Sequence, residues 1–239
     1  ISTTMKEKEK IISAAIIAIG IVVLGMFLKA GIDNFTEKDR KVTVKGLAET
    51  EVKADKITWP IVSKELGNDL PELYNRIASK QQTIKRFLMA NGITADEITI
   101  NAPQVVDLSA DQYSSNNKPY RYNITLTITV TSKHVDRVRE IISRQGELLK
   151  QGVAIVAGDY SNQITYELQS FKKMKPKMMS EAIENAQQTA QQFAKNSQSK
   201  LNKIVSADQG QFSIDNRDEN TPWIKRVRVV TTVTYSLKD

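Results

Sequence analysis

Cysteine is absent from this chain, and its absence removes several chemistries at once. No disulfide, thiolate nucleophile, cysteine-ligated zinc or iron–sulfur centre can form. Nor can an N-terminal lipoprotein anchor, because no cysteine follows the apolar run described below. Histidine is nearly absent too. His134 is the only one, so a multi-histidine metal site is excluded, and its place at a helix start after Ser132-Lys133 suits a surface or capping role. There is no glycine-rich phosphate loop of the usual spacing and no nucleophile-elbow pattern.

The 239 residues are 40% hydrophobic and 26% charged, enough to build a core as one large domain or two small lobes. The net charge is +7. Lys6, Lys8, Lys10 and Lys29 against Glu7 and Glu9 place +2 in residues 1–32, and the other +5 is spread over the rest of the chain. A charge so dispersed favours solubility and weak attraction to anionic surfaces; no nucleic-acid partner is expected.

The longest feature is apolar. Residues 11–28, IISAAIIAIGIVVLGMFL, carry no charge over 18 positions, a helix of roughly 27 Å and long enough for a hydrocarbon core. Met5 is the expected native start, which makes MKEKEK a short charged leader. A cleaved signal peptide would need a small-residue cleavage site, and Leu28-Lys29-Ala30 puts a bulky residue where a small one is required. An uncleaved transmembrane signal anchor is the expectation. Lys and Arg number three before the segment and four after it (Lys29, Lys38, Arg40, Lys41), so the positive-inside rule leaves orientation open. The division is then 1–10 cytoplasmic, 11–28 transmembrane, 29–41 a juxtamembrane linker, and 42–239 the main domain.

That domain alternates strand and helix signals. Val42 and Val44 open a strand that Gly46 interrupts, by a bulge or a close backbone approach. Ile57, Trp59 and Ile61 mark a second strand, and Pro60 within it argues for a sheet edge or an irregularity. Asp69 and Glu72 have capping-box spacing. Leu70, Leu73, Tyr74, Ile77, Ile84, Phe87 and Leu88 make an apolar helix face that stops at Asn91-Gly92. Ile98 and Ile100 start another strand, residues 109–119 read as an exposed loop, and Tyr120 to Val130 alternate apolar with polar positions. A helix carries Val135, Val138, Ile141 and Ile142, weakened at Gly146 and ended at Gly152. Ile164, Tyr166 and Leu168 mark a strand. A helix from Pro176, in its first turn, to Ser199 places Ala182, Ala186, Ala190 and Ala194 in one row, for core packing or, second, an oligomer interface. A strand opening at Ile204-Val205, a loop at 215–222 and a long strand over 224–237 complete the chain. The pattern predicts a two-layer α+β fold, antiparallel sheet with packed helices, in one body or two similar lobes.

No residue emerges as catalytic, cofactor-binding or metal-ligating, and no cofactor is expected. Glu49, Glu51 and Asp55 beside Lys45, Lys53 and Lys56 read as a solvated hairpin. Met174, Met178 and Met179 at helical spacing read as core filler, and Tyr113, Tyr120 and Tyr122 as strand packing.

The stretch Val42 to Ile61 (VTVKGLAETEVKADKITWPI) resembles the opening of the SIMPL-domain family, with Gly46, Glu49, Val52, Ala54 and Asp55 carrying the pattern. The resemblance continues through the helix ending at Asn91-Gly92, the tyrosine-led strand and the alanine-rich helix, over residues 40–238. It implies a bacterial envelope protein, anchored in the inner membrane here with its domain in the periplasm or outside the cell. It also implies an α+β fold, a tendency to oligomerise, and an association with envelope or oxidative stress; it transfers no catalytic residue. The leading expectation is a non-enzymatic structural or interaction protein that forms a homo-oligomer. A binding module for an anionic glycan or lipid, using the loops at 109–119 and 215–222, is second, and a hydrolase with an unrecognised site is third.

Overall fold

A computed structural model describes residues 15–29, 31–32, 40–110, 119–156 and 162–238. The expectations for Ile11–Ala14, for linker residues 33–39 and for Tyr113 lie outside them. Residues 15–29 form helix α1, whose apolar side chains are exposed. Among the described residues no helix is long and apolar enough to cross a membrane. The expected span is thus not among the described helices, because α1 takes in only part of the 18-residue run.

The chain forms two compact units, residues 1–49, 176–213 and 228–239 in the first, and 50–175 with 214–227 in the second. The expectation of similar lobes meets two unequal sheets, of three and five strands.

In the second unit, the pairing of β2 (Lys56–Gly67) with β5 (Tyr122–Ser132) is the spine. It is antiparallel over eleven residue pairs, from Ile57 opposite Ser132 to Gly67 opposite Tyr122. β3 (Ile98–Ile100) and β4 (Gln104–Asp107) pair with β5, and β6 (Thr165–Glu167) pairs with β2. Ile124, Leu126, Ile128 and Val130 of β5 are buried at alternate positions, as expected. The intervening threonines Thr125, Thr127 and Thr129 are half-buried rather than wet.

Pro60 stands where β2 has a neighbouring strand on one side only, so the edge expectation holds at that position although the strand as a whole is central. It lies in a central strand, in register with Thr129. A proline is tolerated there because β6 reaches only residues 56–58 of β2, so the missing N–H falls where no strand needs it. Two residues further on, the Val62 carbonyl on that same side accepts from the Val156 amide at 2.8 Å.

Helix α2 (Leu70–Ala90) starts and ends as its sequence dictates. The Asp69 carboxylate accepts from the Glu72 amide at 2.8 Å, Asn91 caps the other end, and Gly92 takes φ +86°, a value that only glycine adopts without strain. Leu73, Ile77, Ile84, Phe87 and Leu88 are buried against Ile57, Trp59, Ile61 and the β5 row, whereas Leu70 and Tyr74 stay exposed. Helices α3 (Val135–Ser143) and α4 (Gly146–Lys150) close the same core through Val138, Ile141 and Leu148, with the break near Gly146 and the stop at Gly152.

The other sheet has the order β1–β8–β7, from β1 (Lys41–Lys53), β8 (Ile224–Lys238) and β7 (Lys200–Asn216). Arg40 meets Leu237 and Thr43 meets Thr234, so β1 and β8 run antiparallel. Lys203 meets Ser236 and Arg217 meets Ile224, so the β7–β8 hairpin is antiparallel too. Its strands outrun the expectation, with β7 alone spanning 17 residues.

Helix α5 (Phe171–Asn196) begins five residues before Pro176, which therefore lies inside the helix and not in its first turn. The alanine row is settled as core: Ala182, Ala186, Ala190 and Ala194 are each no more than 2% exposed, and Ala186 and Ala190 pack with Val44, Val233 and Tyr235. That row is consumed within the chain and is not free to serve an oligomer. Small side chains are required because backbone meets backbone here. A Cβ on Gly46 would stand 1.8 Å from the Ala182 carbonyl oxygen and 2.6 Å from the Ala186 nitrogen.

Gly46→Ala is therefore expected to force α5 off β1 and to cost about 3 kcal/mol, the upper part of the range for overpacking. Gly146→Ala, with open space around its Cβ, should leave stability within about 1 kcal/mol of the parent. Denaturant midpoints of the two variants beside the parent provide the check.

Candidate functional site

The described residues concentrate charge around His134, entirely within the second unit. Two adjoining hollows of about 380 and 500 Å³ share Lys133 and His134. Their walls come from the β1–β2 turn (Lys53 to Lys56), the end of β5, the first turn of α3, the 3₁₀ turn Ala95–Glu97, Gln169 and Trp223.

Chain topology brings these residues together. Ala54 is buried and its amide donates to the Trp223 carbonyl at 2.8 Å. The Asp55 amide donates to the Glu167 carbonyl at 3.0 Å. The Asp55 carboxylate then accepts from the Gln169 and Ser170 amides at 2.6 and 2.7 Å, just ahead of α5. Asp55 is thus not a solvated hairpin charge, as its lysine-rich neighbourhood suggested. It ties the β1–β2 turn to the start of the longest described helix. Burial alone would raise its pKa, but hydrogen bonds from the Ser170 hydroxyl and these amides outweigh that and leave it below the ordinary 3.8.

Ser132, His134 and Glu97 meet at the floor, three residue types that elsewhere make a hydrolytic triad. Their connections here are different. The buried Ser132 hydroxyl donates to Glu97 and accepts from the His134 backbone amide at 3.0 Å. The hydroxyl proton is therefore directed to a carboxylate and not to the imidazole. Burial would raise the Glu97 carboxyl, but hydrogen bonds from Ser132 and Thr94 hold it below its ordinary 4.5. His134 occupies the N-cap position of α3 without a side-chain cap bond, so the capping role expected for it falls to its backbone alone.

The walls carry four fixed cations (Lys53, Lys56, Lys133, Arg137) and four carboxylates (Asp55, Asp96, Glu97, Asp136). Lys53 bridges to Asp136 at 3.0 Å, Lys56 reaches out to Glu167 at 3.0 Å, and Arg137 donates to the Gly92 carbonyl at 3.2 Å. Lys133 has no partner among the described residues. The hollow is balanced in formal charge; Lys53 and Asp136 hold each other, and Asp55 and Glu97 are held by amides and hydroxyls. Among the described residues no three His, Asp or Glu side chains gather as a metal site.

Of the two loops expected to greet a ligand, 215–222 is tied down by its own side chains, whereas residues 111–118 of the other lie outside the described residues. Asp218 accepts from the Asn220 and Thr221 amides, from the Thr221 hydroxyl and from Arg217 Nε. The Thr221 hydroxyl bond, then the Arg217 bond, bring its pKa to about 2. Trp223 packs under the Arg139 guanidinium, 3.4 Å from the ring centroid, and edge-on to Tyr166 at 6.3 Å. At the margin of the other loop, Arg121 bridges to Asp107 at 2.9 Å, and its hydrogen bond with the Ser109 contacts takes Asp107 to about 2. Neither the Asp55 tie nor the Trp223 stack had a local sequence signal, since both join residues more than fifty positions apart.

Carboxyls depressed in the folded state stabilise it above their unfolded pKa values and lose that contribution as pH falls through the folded values. The denaturant midpoint is expected to hold from pH 7 to 5 and to decline below about pH 4. Asp55→Ala should cost about 1–2 kcal/mol at pH 7 and flatten that decline. Midpoints measured between pH 7 and 2 for parent and variant test both statements.

No curated protein matches the chain. Residues 42–235 match the family described as SIMPL, protein of unknown function (DUF541). With nearly all of the described α+β structure inside that match, the chain belongs to the SIMPL family.

Proposed function

We propose that this is a membrane-anchored envelope protein with a non-enzymatic structural or interaction role. Residues 11–28 hold it in the inner membrane as a single pass, residues 42–239 stand in the periplasm or outside the cell, and it works as a homo-oligomer. The observation that carries the reading is the surface of α1. Ile16, Ile17, Ile19, Ile21, Leu24, Phe27 and Leu28 are all more than half exposed, up to 73% at Phe27. With Val22 and Met26, also more than half exposed, these side chains lie all round the helix, and each large one stabilises by about 1.5–3 kcal/mol when withdrawn from water. A bilayer withdraws them together, and the charge-free run extends four residues beyond α1 on its N-terminal side. A structural role fits a polar hollow in which Lys53 bridges to Asp136 of α3 and Asp55 ties the β1–β2 turn to the Gln169 and Ser170 amides. The balance of charge there gives less support to capture of an anionic glycan or lipid.

The full chain is expected in the membrane fraction after an alkaline wash, with its domain digested by protease added to spheroplasts. Ile19→Arg with Val22→Arg, at about 3 kcal/mol each near a span centre, should move it to the soluble fraction. A soluble parent chain would remove the anchor, and a protease-protected domain would reverse the orientation. A single-chain mass by light scattering at every concentration would remove the oligomer.

A further inference from the structure

Cations that are dispersed along the sequence are gathered at one end of the first unit by its topology. The Leu237 amide donates to the Arg40 carbonyl at 2.9 Å, so β1 begins where β8 finishes. Lys203 meets the Ser236 hydroxyl at 3.3 Å, so β7 begins there too. The Arg40 guanidinium donates to the Ser199 hydroxyl at 2.9 Å, and the Ser199 amide donates to the Ala194 carbonyl at 2.8 Å, which brings in the last turn of α5. Arg40, Lys41, Lys195, Lys200, Lys203 and Lys238 are the cations of this end, and all six are exposed.

Acids are kept away from it. The described carboxylates of the first unit are Glu49, Glu181, Glu184 and Asp208, each at least five residues along its element from the nearest of those six. Lys41, Lys195, Lys203 and Lys238 have no ion-pair partner among the described residues. Counting residues 33–39 and Asp239 by sequence, with Lys38 against Asp33, Glu37, Asp39 and Asp239, leaves +3. Apolar side chains stand among the cations. Phe193, in the last turn of α5, is 58% exposed, and Ile204 and Val205, next to Lys203, are 54% and 51% exposed. A dissolved anion would engage the cations alone. A lipid headgroup region offers phosphate to the cations and an acyl boundary to their apolar neighbours.

Chain connectivity selects the occupant. Arg40 stands twelve residues after Leu28, the last of the charge-free run. Such a length spans at most about 40 Å, and about 20 Å as a flexible coil. With residues 11–28 in a bilayer, this end of the first unit is the one that the chain delivers to the membrane surface. The tether makes the encounter intramolecular, so an attraction too weak to capture a free protein suffices here.

We propose that the basic end of the first unit docks on anionic phospholipid headgroups of the leaflet from which the anchor emerges. The proposal rests on the membrane anchor read above and adds a second, electrostatic contact to it.

Because the chain has no cysteine, a single introduced thiol can carry a fluorophore. Asn202→Cys lies at the basic end, and Ser213→Cys lies roughly 35 Å along the same strand. Each labelled full chain is reconstituted into vesicles that carry a nitroxide quencher on the lipid headgroup. In mixed phosphatidylglycerol and phosphatidylcholine, the label at 202 should be quenched and the label at 213 should not. Quenching at 202 should fall severalfold in phosphatidylcholine alone, and also in about 1 M salt, where the screening length shrinks to about 3 Å. Lys195→Glu with Lys203→Glu and Lys238→Glu should abolish it. Each cation at an anionic surface contributes about fivefold to the docked population, and three together about a hundredfold. Lys64→Glu with Lys85→Glu and Lys150→Glu, the same change of charge on the second unit, should leave it intact. Quenching at 202 alike in both lipids would overturn the electrostatic contact, and equal quenching at 202 and 213 would overturn the end-on placement. A chain that stays in the vesicles through an alkaline wash with neither label quenched would overturn the docking and leave the anchor standing. A chain that washes off would overturn both.

Discussion

Helix α5 touches its sheet through backbone, with the Gly46 hydrogens against the Ala182 carbonyl. That distance sets much else in the first unit. A helix this close admits only alanine along its inner row, and so four of them recur at every fourth residue. The row contributes little apolar area for its length. The missing volume is supplied from the sheet by Val44, Val233 and Tyr235. Larger side chains on either surface would lift the helix and open a void that nothing nearby can fill.

The second unit is held differently. Its core of isoleucine, leucine and valine is conventional, but its margin is organised by single polar residues acting over long stretches of chain. Asp55 holds the segment before α5, Arg139 lies over Trp223, and Glu97 takes the Ser132 hydroxyl. Each carboxylate is satisfied by two or more donors, which explains why its pKa is depressed despite partial burial. The hollow around His134 takes its shape from these bonds, and Lys133 is the wall cation without a partner among the described residues.

The SIMPL family pattern is explained on these terms. Gly46 permits the helix to approach, Ala54 is buried at the turn with its amide on Trp223, and Asp55 fixes the lead-in to α5. These are demands of folding, and a pattern built from them identifies the fold without naming a reaction.

Local physics made a good part of this legible in advance. Asp69, Glu72 and Asn91-Gly92 bound α2 because caps are satisfied within four residues of where they stand, and the alternation in β5 survives because a strand's period is set by its own backbone. The close approach at Gly46 and the break at Gly146 were visible for the same reason. Tertiary structure alone decided the rest. Pro60 sits in a central strand because the neighbour on its bare side stops at residue 58 of β2. Pro176 lies inside α5 because the helix starts five residues earlier, beside the amides held by Asp55. Whether the alanine row faces a sheet or another molecule depends on contacts between residues far apart in the chain. Sequence determines what each segment prefers within a few residues; which of its faces finds a partner is settled only when distant segments pack.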